Sequence, residues 1–379
     1  MDIKRVIDKL PESASMKMGK LARETGNKEK IINLGIGDPY FTTPKKIINS
    51  AYKFMLSGKT HYADAQGIVE LRSKTSDYLK KRFNINYSAE QIIITPGSKQ
   101  GIYYSLLLWT KLGAKVGLFE PSWLGYVPGI KLLGGKPVFL KLDNGVFTKK
   151  VVRQIKKYRP RLIIINTPNN PTGKAWSREE LDLLINYCKR EGIRIIADEV
   201  YNEIIYGNKF YSLGNYNKIY SGIIVAGSFS KTLAMAGWRL GYLCLKDKKM
   251  MERFIKLQQI IATCPNSFVQ HAVANTLGKC RVEINKMRKI FKENKDLLYR
   301  ALKTTRLEPV LPQGTFYMWV NVKEDGEKFT KKLLKKLKII VVPGRDYGKD
   351  TNNFIRISFG VSKEKVKEAC RRFKNEFKK

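Results

Sequence analysis

Histidine and cysteine are scarce in this chain of 379 residues. The two histidines are His61 and His271, which excludes a histidine-rich metal site and makes a Ser-His-Asp mechanism depend on one of them. The five cysteines are odd in number, scattered and without a CxxC pair, so they indicate neither a disulfide framework nor a thiolate metal site. We therefore predict reduced, structural thiols and no bound metal.

Long apolar runs are also missing. No run approaches the ~18 residues that a membrane span needs. The opening MDIKRVIDKL lacks the continuous apolar segment of a secretory signal. We expect a soluble, cytoplasmic protein without a membrane partner.

Acidic residues are few beside the basic ones, with 33 Asp and Glu against 72 Lys and Arg and a formal charge of +39. Such an excess raises a nucleic-acid hypothesis, because clustered cations gain affinity for phosphate backbones. The basic residues are instead dispersed and interleaved with acids, without a helix-turn-helix or RNA-binding signature. We predict no nucleic-acid partner and attribute the positive charge to a lysine-rich proteome. The same charge would attract anionic substrates or cofactors to the protein.

Short apolar runs alternate with segments of helical spacing, without an internal repeat or a flexible linker. One such segment carries Leu181, Leu184, Ile185 and Cys188. Strands that are apolar on both faces are typical of a parallel sheet covered by helices, so the pattern predicts an α/β fold. The runs are QIIITPGS (91–98), KVGLFEP (115–121), RLIIINTP (161–168), IRIIADEV (193–200) and SGIIVAGS (221–228).

The pattern of helical and strand segments changes after about residue 280. Lysine-rich helical segments at 288–303 and 328–338 flank short strands at 316–322 and 353–360, as in a smaller α+β domain. The last segment places an apolar stripe on one helix face, so its lysines are a solvated face. The stripe is Val366, Ala369, Cys370, Phe373 and Phe377.

Polar residues follow the predicted strands, at the edge where open α/β sheets bind ligands. Gly97, Ser98 and Lys99 open a helix whose free N–H groups suit an anion, although a plain helix cap explains them equally well. Trp123 follows the next strand, where it either stacks on a flat ligand or packs in the core.

Two further strand ends carry functional groups. Asn170 lies in TPNNPTG, a turn of Pro, Asn and Gly of the kind that commonly separates helices and strands. Its two prolines would also hold the Asn170 amide in a rigid position. Asp198 ends a buried strand, and Tyr201 follows three residues later. A buried carboxylate costs several kcal/mol unless it is paired, so Asp198 needs a partner, such as a cation on a ligand.

The segment SFSKTLAMAGWR (228–239) places Lys231 at the last strand end. A solvated turn is one interpretation; the other is an amine whose pKa desolvation lowers, suited to Schiff-base chemistry. Ser228 and Arg239 would share a phosphate. We predict pyridoxal phosphate as the cofactor, because its functional groups match this set of residues. The set comprises a lysine, a carboxylate, a phosphate-binding turn, an aromatic ring for stacking and an Asn/Tyr pair.

With these motifs the sequence resembles the class I/II pyridoxal-phosphate aminotransferases of fold type I, in particular bacterial aspartate aminotransferases. The resemblance runs over nearly the whole chain. It implies a large domain with a mostly parallel seven-stranded sheet between helices (45–280), a small α+β domain (281–379) and an N-terminal segment (1–44) belonging to the small domain and its lid. Its motifs are LGIGDPYFTTP, HYADAQG, PGSKQ, TPNNPTG, ADEVY, SFSKTLAMAGWRLGY, LPQGTFYMWV, VVPGRDYG and NFIRISFG.

The resemblance also implies roles. Lys231 is the lysine that binds the cofactor covalently and moves the proton, Asp198 pairs with the ring nitrogen, and Trp123 stacks on the ring. Tyr201 and Asn170 hydrogen-bond the phenolic oxygen. The phosphate is held by residues of this chain and of the partner subunit in a homodimer, namely Gly97, Ser98, Ser228, Arg239 and the partner's Tyr62.

For the substrate, Arg356 resembles the arginine that binds the α-carboxylate, and Gly37 lies in the segment that closes over it. ATCPNSF (262–268) lacks the arginine that some relatives use for a distal carboxylate. Lys99, with Ser15 nearby, resembles the lysine that another bacterial branch uses for the distal carboxylate, so aspartate (or glutamate) with 2-oxoglutarate is the predicted pair. Open alternatives are an aminotransferase for aromatic or neutral amino acids, a C–S lyase on this scaffold and, more remotely, a cofactor-binding regulator.

Overall fold

The computed structural model describes residues 3–10, 20, 31–207 and 209–378. The strands are, in chain order, β1 (Ile32–Asn33), β2 (Ile92–Thr95), β3 (Lys115–Glu120), β4 (Lys136–Lys141), β5 (Leu162–Asn166), β6 (Arg194–Asp198), β7 (Ile223–Ser228), β8 (Gly241–Cys244), β9 (Glu308–Pro309), β10 (Tyr317–Asn321), β11 (Ile339–Ile340), β12 (Val342–Pro343) and β13 (Phe354–Ser358). The α-helices are α1 (Ile3–Asp8), α2 (Lys45–Leu56), α3 (Val69–Phe83), α4 (Ser98–Trp109), α5 (Tyr126–Leu132), α6 (Lys149–Tyr158), α7 (Arg178–Glu191), α8 (Phe229–Thr232), α9 (Lys248–Ala262), α10 (Ser267–Thr276), α11 (Arg281–Lys303), α12 (Gly326–Lys332) and α13 (Lys363–Glu376).

Seven strands form one sheet in the order β2-β8-β7-β6-β5-β3-β4. The strands from β4 to β7 pair in parallel, whereas β8 is antiparallel to both of its neighbours. The predicted mostly parallel α/β sheet is confirmed. The five apolar runs are strands β2, β3, β5, β6 and β7, as predicted.

Strand β2 differs from the prediction in its partner. We expected a parallel neighbour for QIIIT, but β2 pairs only with the antiparallel β8, at the edge of the sheet. The segment between β7 and β8 contains no helix long enough for a crossover connection, so the chain reverses direction and β8 pairs antiparallel with β7. Neither β8 nor β4 was predicted. Strand β8 begins just after the segment 228–239, and β4 is an edge strand that is largely half-buried or exposed.

Apolar side chains fill both faces of the sheet because successive strand residues point to opposite sides. In β5, Ile163 and Ile165 belong to the core on one face and Ile164 to the core on the other. Helices cover both faces, as the apolar runs on both sides of each strand require. Within α7, the predicted stripe from Leu181 to Cys188 is buried.

A second core surrounds the four-stranded sheet β12-β13-β10-β9. The predicted stripe of the last helix, from Val366 to Phe377, is buried in it. Strand β1 pairs in parallel with β11, so the N-terminal segment joins this part of the molecule. Ile204, from the loop after β6, also belongs to this core, which brings the two sheets' regions together.

Two further observations concern the sequence predictions. All five cysteines are free, and four of them are buried. Within the described residues, no helix has the length and apolar character to cross a bilayer.

Candidate active site

A cavity of about 720 Å³ lies at the carboxyl ends of β5, β6 and β7. Strand pairing aligns these ends, since Asn166 is opposite Asp198 and Asp198 is opposite Ala226. Eleven residues that the sequence singles out line this cavity: Gly37, Ser98, Lys99, Trp123, Asn170, Asp198, Tyr201, Ser228, Lys231, Arg239 and Arg356.

Asp198 is a buried carboxylate at the cavity floor. It accepts hydrogen bonds from the Tyr126 hydroxyl at 2.5 Å and from the Val200 N–H at 3.4 Å. Burial raises the pKa of Asp198 to about 6, and these two donors only partly offset the effect. No described cation forms an ion pair with it, so the carboxylate offers its charge to a ligand.

Lys231 extends from the short helix α8 to the opposite wall. Its Nζ donates to the Gly37 carbonyl at 2.7 Å and lies 3.8 Å from an oxygen of Asp38. Burial lowers the pKa of Lys231 below the usual lysine value, and the nearby Asp38 opposes that shift. The amine is therefore a better proton acceptor and nucleophile than a solvated lysine.

The start of α4 forms an anion cradle. Gly97 precedes the helix with φ of +81°, and no side chain caps the first turn. The positive φ favours glycine at position 97, and a Cβ there would lie 2.4 Å from Nη2 of Arg239, which would have to move away. Free N–H groups at a helix start and an adjacent guanidinium together favour a phosphate. Ser228 and Ser98 line the same end of the cavity.

Arg356 is buried and only partly satisfied. Its Nη1 donates to Asn170 Oδ1 at 3.2 Å and its Nη2 to the Gly35 carbonyl at 2.7 Å. Among the described residues its Nε has no hydrogen-bond partner. The guanidinium lies 4.3 Å from the centre of the Tyr317 ring, whose face fixes its plane.

Asn170 and Tyr201 are held by neighbours at the same edge. The Asn170 N–H donates to Asn166 Oδ1 at 2.7 Å, which orients the turn between the two prolines. The hydroxyls of Tyr201 and Tyr317 are 3.1 Å apart. Both side chains therefore present polar atoms to the cavity from rigid positions.

Trp123 forms part of the cavity wall, packed edge-on against Tyr126 with ring centres 5.1 Å apart. The ammonium group of Lys99 lies 5.3 Å from the centre of the Trp123 ring. Lys99 is exposed at the mouth of the cavity. Ser15, predicted to lie near it, is outside the described residues.

Two predicted residues do not line the cavity. Gly97 lies behind it, against Arg239. Tyr62 is 87% exposed and is not part of the cavity in its own chain.

Sequence reasoning missed three residues of the site. Tyr126 donates to Asp198, Tyr317 contacts both Tyr201 and Arg356, and Asp38 lies near Lys231. Tyr317 and Asp38 lie in motifs already quoted, LPQGTFYMWV and LGIGDPYFTTP, and Tyr126 follows three residues after Trp123. Their spacing from the identified residues was the only available signal, and it does not reveal which side chains meet.

The fold and the site together define an α/β enzyme in which a desolvated lysine, a buried carboxylate and an anion cradle face one cavity. The chain belongs to the aminotransferase class I and II family, whose model matches residues 29–373. It is accordingly a transaminase, in a family that uses pyridoxal phosphate.

Individual relatives agree with this membership. The chain is 34% identical over 360 residues to the aromatic-amino-acid aminotransferase 2 of Thermococcus litoralis, covering 92% of each chain. It is 32% identical to the aspartate aminotransferase of Thermotoga maritima, covering 98% of each. The structure of Thermus thermophilus aspartate aminotransferase with maleate superposes with a TM-score of 0.91 at 25% identity, covering 98% of each chain.

Proposed function

We propose that this transaminase holds pyridoxal phosphate in the cavity and moves the amino group of aspartate to 2-oxoglutarate. The observation that carries the proposal is the pair formed by Asp198 and Lys231. One is a buried carboxylate without a described cation, and the other a partly buried amine whose pKa desolvation lowers, in the same cavity.

The residues fit the cofactor group by group. Lys231 would bind it covalently, and Asp198 would pair with its ring nitrogen. Trp123 would cover the ring, and Asn170 and Tyr201 would donate to the phenolic oxygen. The cradle at Gly97, Ser98, Ser228 and Arg239 would take the phosphate, whose charge the Arg239 guanidinium would balance.

Pyridoxal phosphate supplies an electron sink for the electrons left when a proton departs from the substrate α-carbon. The Lys231 amine accepts that proton, because burial keeps a larger share of it neutral. The Asp198 carboxylate stabilises a proton on its ligand partner, because a buried anion gains from an adjacent cation. Tyr126 holds the carboxylate in place.

Arg356 would bind the substrate α-carboxylate. A guanidinium presents a planar fork that lysine cannot copy, and its unpartnered Nε faces a buried environment. Gly37 and the segment around it lie against Lys231, where closure would exclude water.

Absorption spectroscopy tests the cofactor and the half-reaction together. We expect a near-visible band after addition of pyridoxal phosphate, and a shift of that band when aspartate is added. A band that does not shift on addition of aspartate would support pyridoxal phosphate as the cofactor but reject aspartate as the substrate. The absence of any band would reject both.

Lys99 is the proposed partner of the distal carboxylate. Its ammonium group lies 5.3 Å from the centre of the Trp123 ring, and Lys99 lines the same cavity as Arg356. We expect Lys99→Ser to raise the KM for aspartate about tenfold while leaving the KM for alanine nearly unchanged. Equal increases for the two amino acids would reject this role.

Aromatic amino acids are the second candidate substrates. The cavity also has an apolar wall that includes Tyr103, Val127 and Phe139, and one relative is an aromatic-amino-acid aminotransferase. A larger kcat/KM for tyrosine than for aspartate would favour this alternative. Release of ammonia and pyruvate from a cysteine conjugate would instead identify a C–S lyase.

A homodimer with shared active sites is also part of the proposal. Large apolar side chains are exposed on α2 and at the end of α9, among them Leu56 (71%) and Ile260 (82%). The Ala63 N–H donates to Cys264 Sγ, so the segment that carries Tyr62 lies beside the end of α9. A second copy covering this surface would bring its Tyr62 towards a neighbouring cavity. Light scattering should give twice the chain mass, and Ile260→Asp should give monomers with weakened cofactor binding.

Two predictions remain proposals. We divide the chain into a large domain at 45–280 and a small domain at 281–379 joined by the segment 1–44, in keeping with the separate cores around the two sheets. Five free cysteines fit a reducing compartment, and so a cytoplasmic location.

A further inference from the structure

A second cavity, of about 1090 Å³, lies apart from the active site. Its walls come from the end of α3, the start of α7, the loop that follows β6 and the first half of α11. The two cavities share no lining residue among those described. We name this second one the basic cavity, because Lys and Arg supply eight of its lining residues and acids only two.

Both acids of the basic cavity already have partners. The side chain of Glu203 is fully buried and accepts hydrogen bonds from Tyr78, Arg82 and Arg281. Asp182 accepts from the Tyr216 hydroxyl at 2.6 Å and lies 3.8 Å from Arg178. Neither carboxylate has spare charge to neutralise the remaining cations.

Six cations of the basic cavity form no ion pair with a described acid: Lys80, Lys81, Lys209, Arg288, Lys289 and Lys292. Burial and the neighbouring Arg281 and Arg82 lower the pKa of Arg288, in spite of Glu203 nearby. The cavity therefore carries an excess of positive charge.

Helix stability explains the arrangement on α11 only in part. Asn285, Arg288, Lys289 and Lys292 follow the spacing i, i+3, i+4, i+7, which places them on one helix face, and all four line the cavity. Lys289 has Glu293 four residues further on, and the pKa of that carboxyl is lowered by Lys363 and then by Lys289. Arg288 and Lys292, however, are like charges four residues apart, which destabilise a helix. Cations at the end of α3 do have such an explanation, since they suit the helix dipole, but Arg288 and Lys292 in the middle of α11 do not.

Aromatic rings border the same space. Phe83 and Phe210 are in edge contact with ring centres 5.5 Å apart, and both line the cavity. Lys209 lies 5.7 Å from the centre of the Tyr211 ring. Flat apolar surface beside converging cations suits a ligand that carries both an aromatic ring and phosphates.

We propose that the basic cavity binds a nucleoside polyphosphate. Its phosphates lie against the cationic face of α11 and the end of α3, and its ring lies against Phe83 and Phe210. The volume suffices for a ligand of that size. The site is separate from catalysis, so its occupancy can be measured whatever amino acid the enzyme accepts.

Calorimetric titration of ATP into the full chain, loaded with pyridoxal phosphate to fill the active-site cradle, tests the proposal at physiological salt. We expect one ATP per chain in addition to the bound cofactor. Lys289→Glu with Lys292→Glu should weaken ATP binding at least tenfold while leaving the cofactor absorption unchanged. Lys149→Glu with Lys156→Glu is the matched control, because it changes the net charge equally at exposed positions of α6.

Several results would overturn the proposal. The same loss of affinity in both double variants would mean that ATP responds only to overall charge. Inorganic tripolyphosphate binding as tightly as ATP would remove the nucleoside from the assignment. A twelve-residue RNA that displaces ATP at lower concentration, through Lys289 and Lys292, would identify a nucleic-acid surface instead. No ATP binding by the loaded chain would reject the site.

Discussion

The active-site cavity and the basic cavity use charge in opposite ways. In the first, charged side chains are buried and individually positioned: Asp198, at the end of β6, by Tyr126, and Arg356, within β13, by Asn170 and Gly35. In the second, six mostly exposed cations of α3, α11 and the loop after β6 converge without an ion-pair partner among the described acids. Buried charge needs a specific partner, whereas exposed charge is tolerated in excess because water solvates it.

This difference shows which functional cations can be told apart from ordinary surface cations by sequence alone. A lysine at the end of a buried strand is unusual, so Lys231 is noticeable even among 72 basic residues. Lys289 and Lys292 lie on a lysine-rich helix and look like any solvated face. Their common orientation towards α3 and the loop after β6 becomes visible only when the three segments are folded together.

The comparison predicts its largest effect at Lys231. Lys231→Ala removes both the proposed attachment point and the proton acceptor, so we expect transaminase activity to fall by about 1,000-fold or more. The measurement is the rate of 2-oxo acid formation, with the absorption band of added cofactor beside it. Lys246→Ala, at an exposed position, should retain full activity. Comparable activity in the two variants would place Lys231 among the ordinary lysines.

The next effect is expected at Arg356. Arg356→Lys keeps the charge but loses the planar fork, so we expect kcat/KM for aspartate to fall about 100-fold, the loss of roughly 3 kcal/mol of charged hydrogen bonding. Arg345→Lys is the control from the same cavity, since the Arg345 side chain is 71% exposed. We expect less than a threefold change there. Steady-state kinetics that gave equal losses would remove the distinction between buried and exposed arginine.

A pH-dependent effect is expected at Glu199, which is buried next to Asp198. It accepts from the Ser212 hydroxyl and the Leu213 N–H, yet burial raises its pKa from 4.5 to about 8. The folded protein then holds a proton that the unfolded chain loses above pH 4.5, so this contribution to stability is lost as pH rises through 8.

Glu199→Gln has no such proton to lose. We expect its stability advantage over the wild type to grow between pH 5 and pH 9, by at most about 5 kcal/mol in the free energy of unfolding. Denaturant unfolding at the two pH values measures it. The exposed Glu252→Gln is the control and should show no trend. A constant difference for Glu199→Gln would mean that Glu199 is ionised in the folded protein throughout.

The smallest effect is expected in the basic cavity. Lys289→Gln with Lys292→Gln relieves like-charge repulsion on an exposed surface, so we expect a gain of less than about 1 kcal/mol. It should appear as a slightly higher thermal midpoint at low salt and disappear at high salt, because salt screens exposed charges. Destabilisation at every salt concentration would show that these lysines are structural.

Much of the fold was predictable because it rests on local patterns. Apolar runs of four to six residues gave β2, β3, β5, β6 and β7, and helical spacing gave α7 and α13. The edge strand β4, largely half-buried or exposed, and β8, which begins just after the segment 228–239, were missed. The antiparallel partner of β2 was also missed, because pairing depends on where distant segments meet rather than on the residues within the strand.

The residues of the active site also fall into two groups, those predictable from local sequence and those that were not. Residue type and position after a strand were enough to single out Lys231, Asp198 and the turn at Gly97. The contacts of Tyr126 with Asp198 and of Tyr317 with Arg356 join residues 72 and 39 positions apart, and no local pattern predicts them.

The sequence by itself determined the chemistry available at each strand end, because a buried strand followed by a polar or charged residue is a local feature with a local energetic reason. The tertiary structure decided which of those groups meet, how burial shifts the pKa values of Asp198 and Lys231, and that exposed lysines of α3 and α11 face one cavity. These properties depend on the distance and solvent access between segments far apart in the chain, and such distances exist only in the folded molecule.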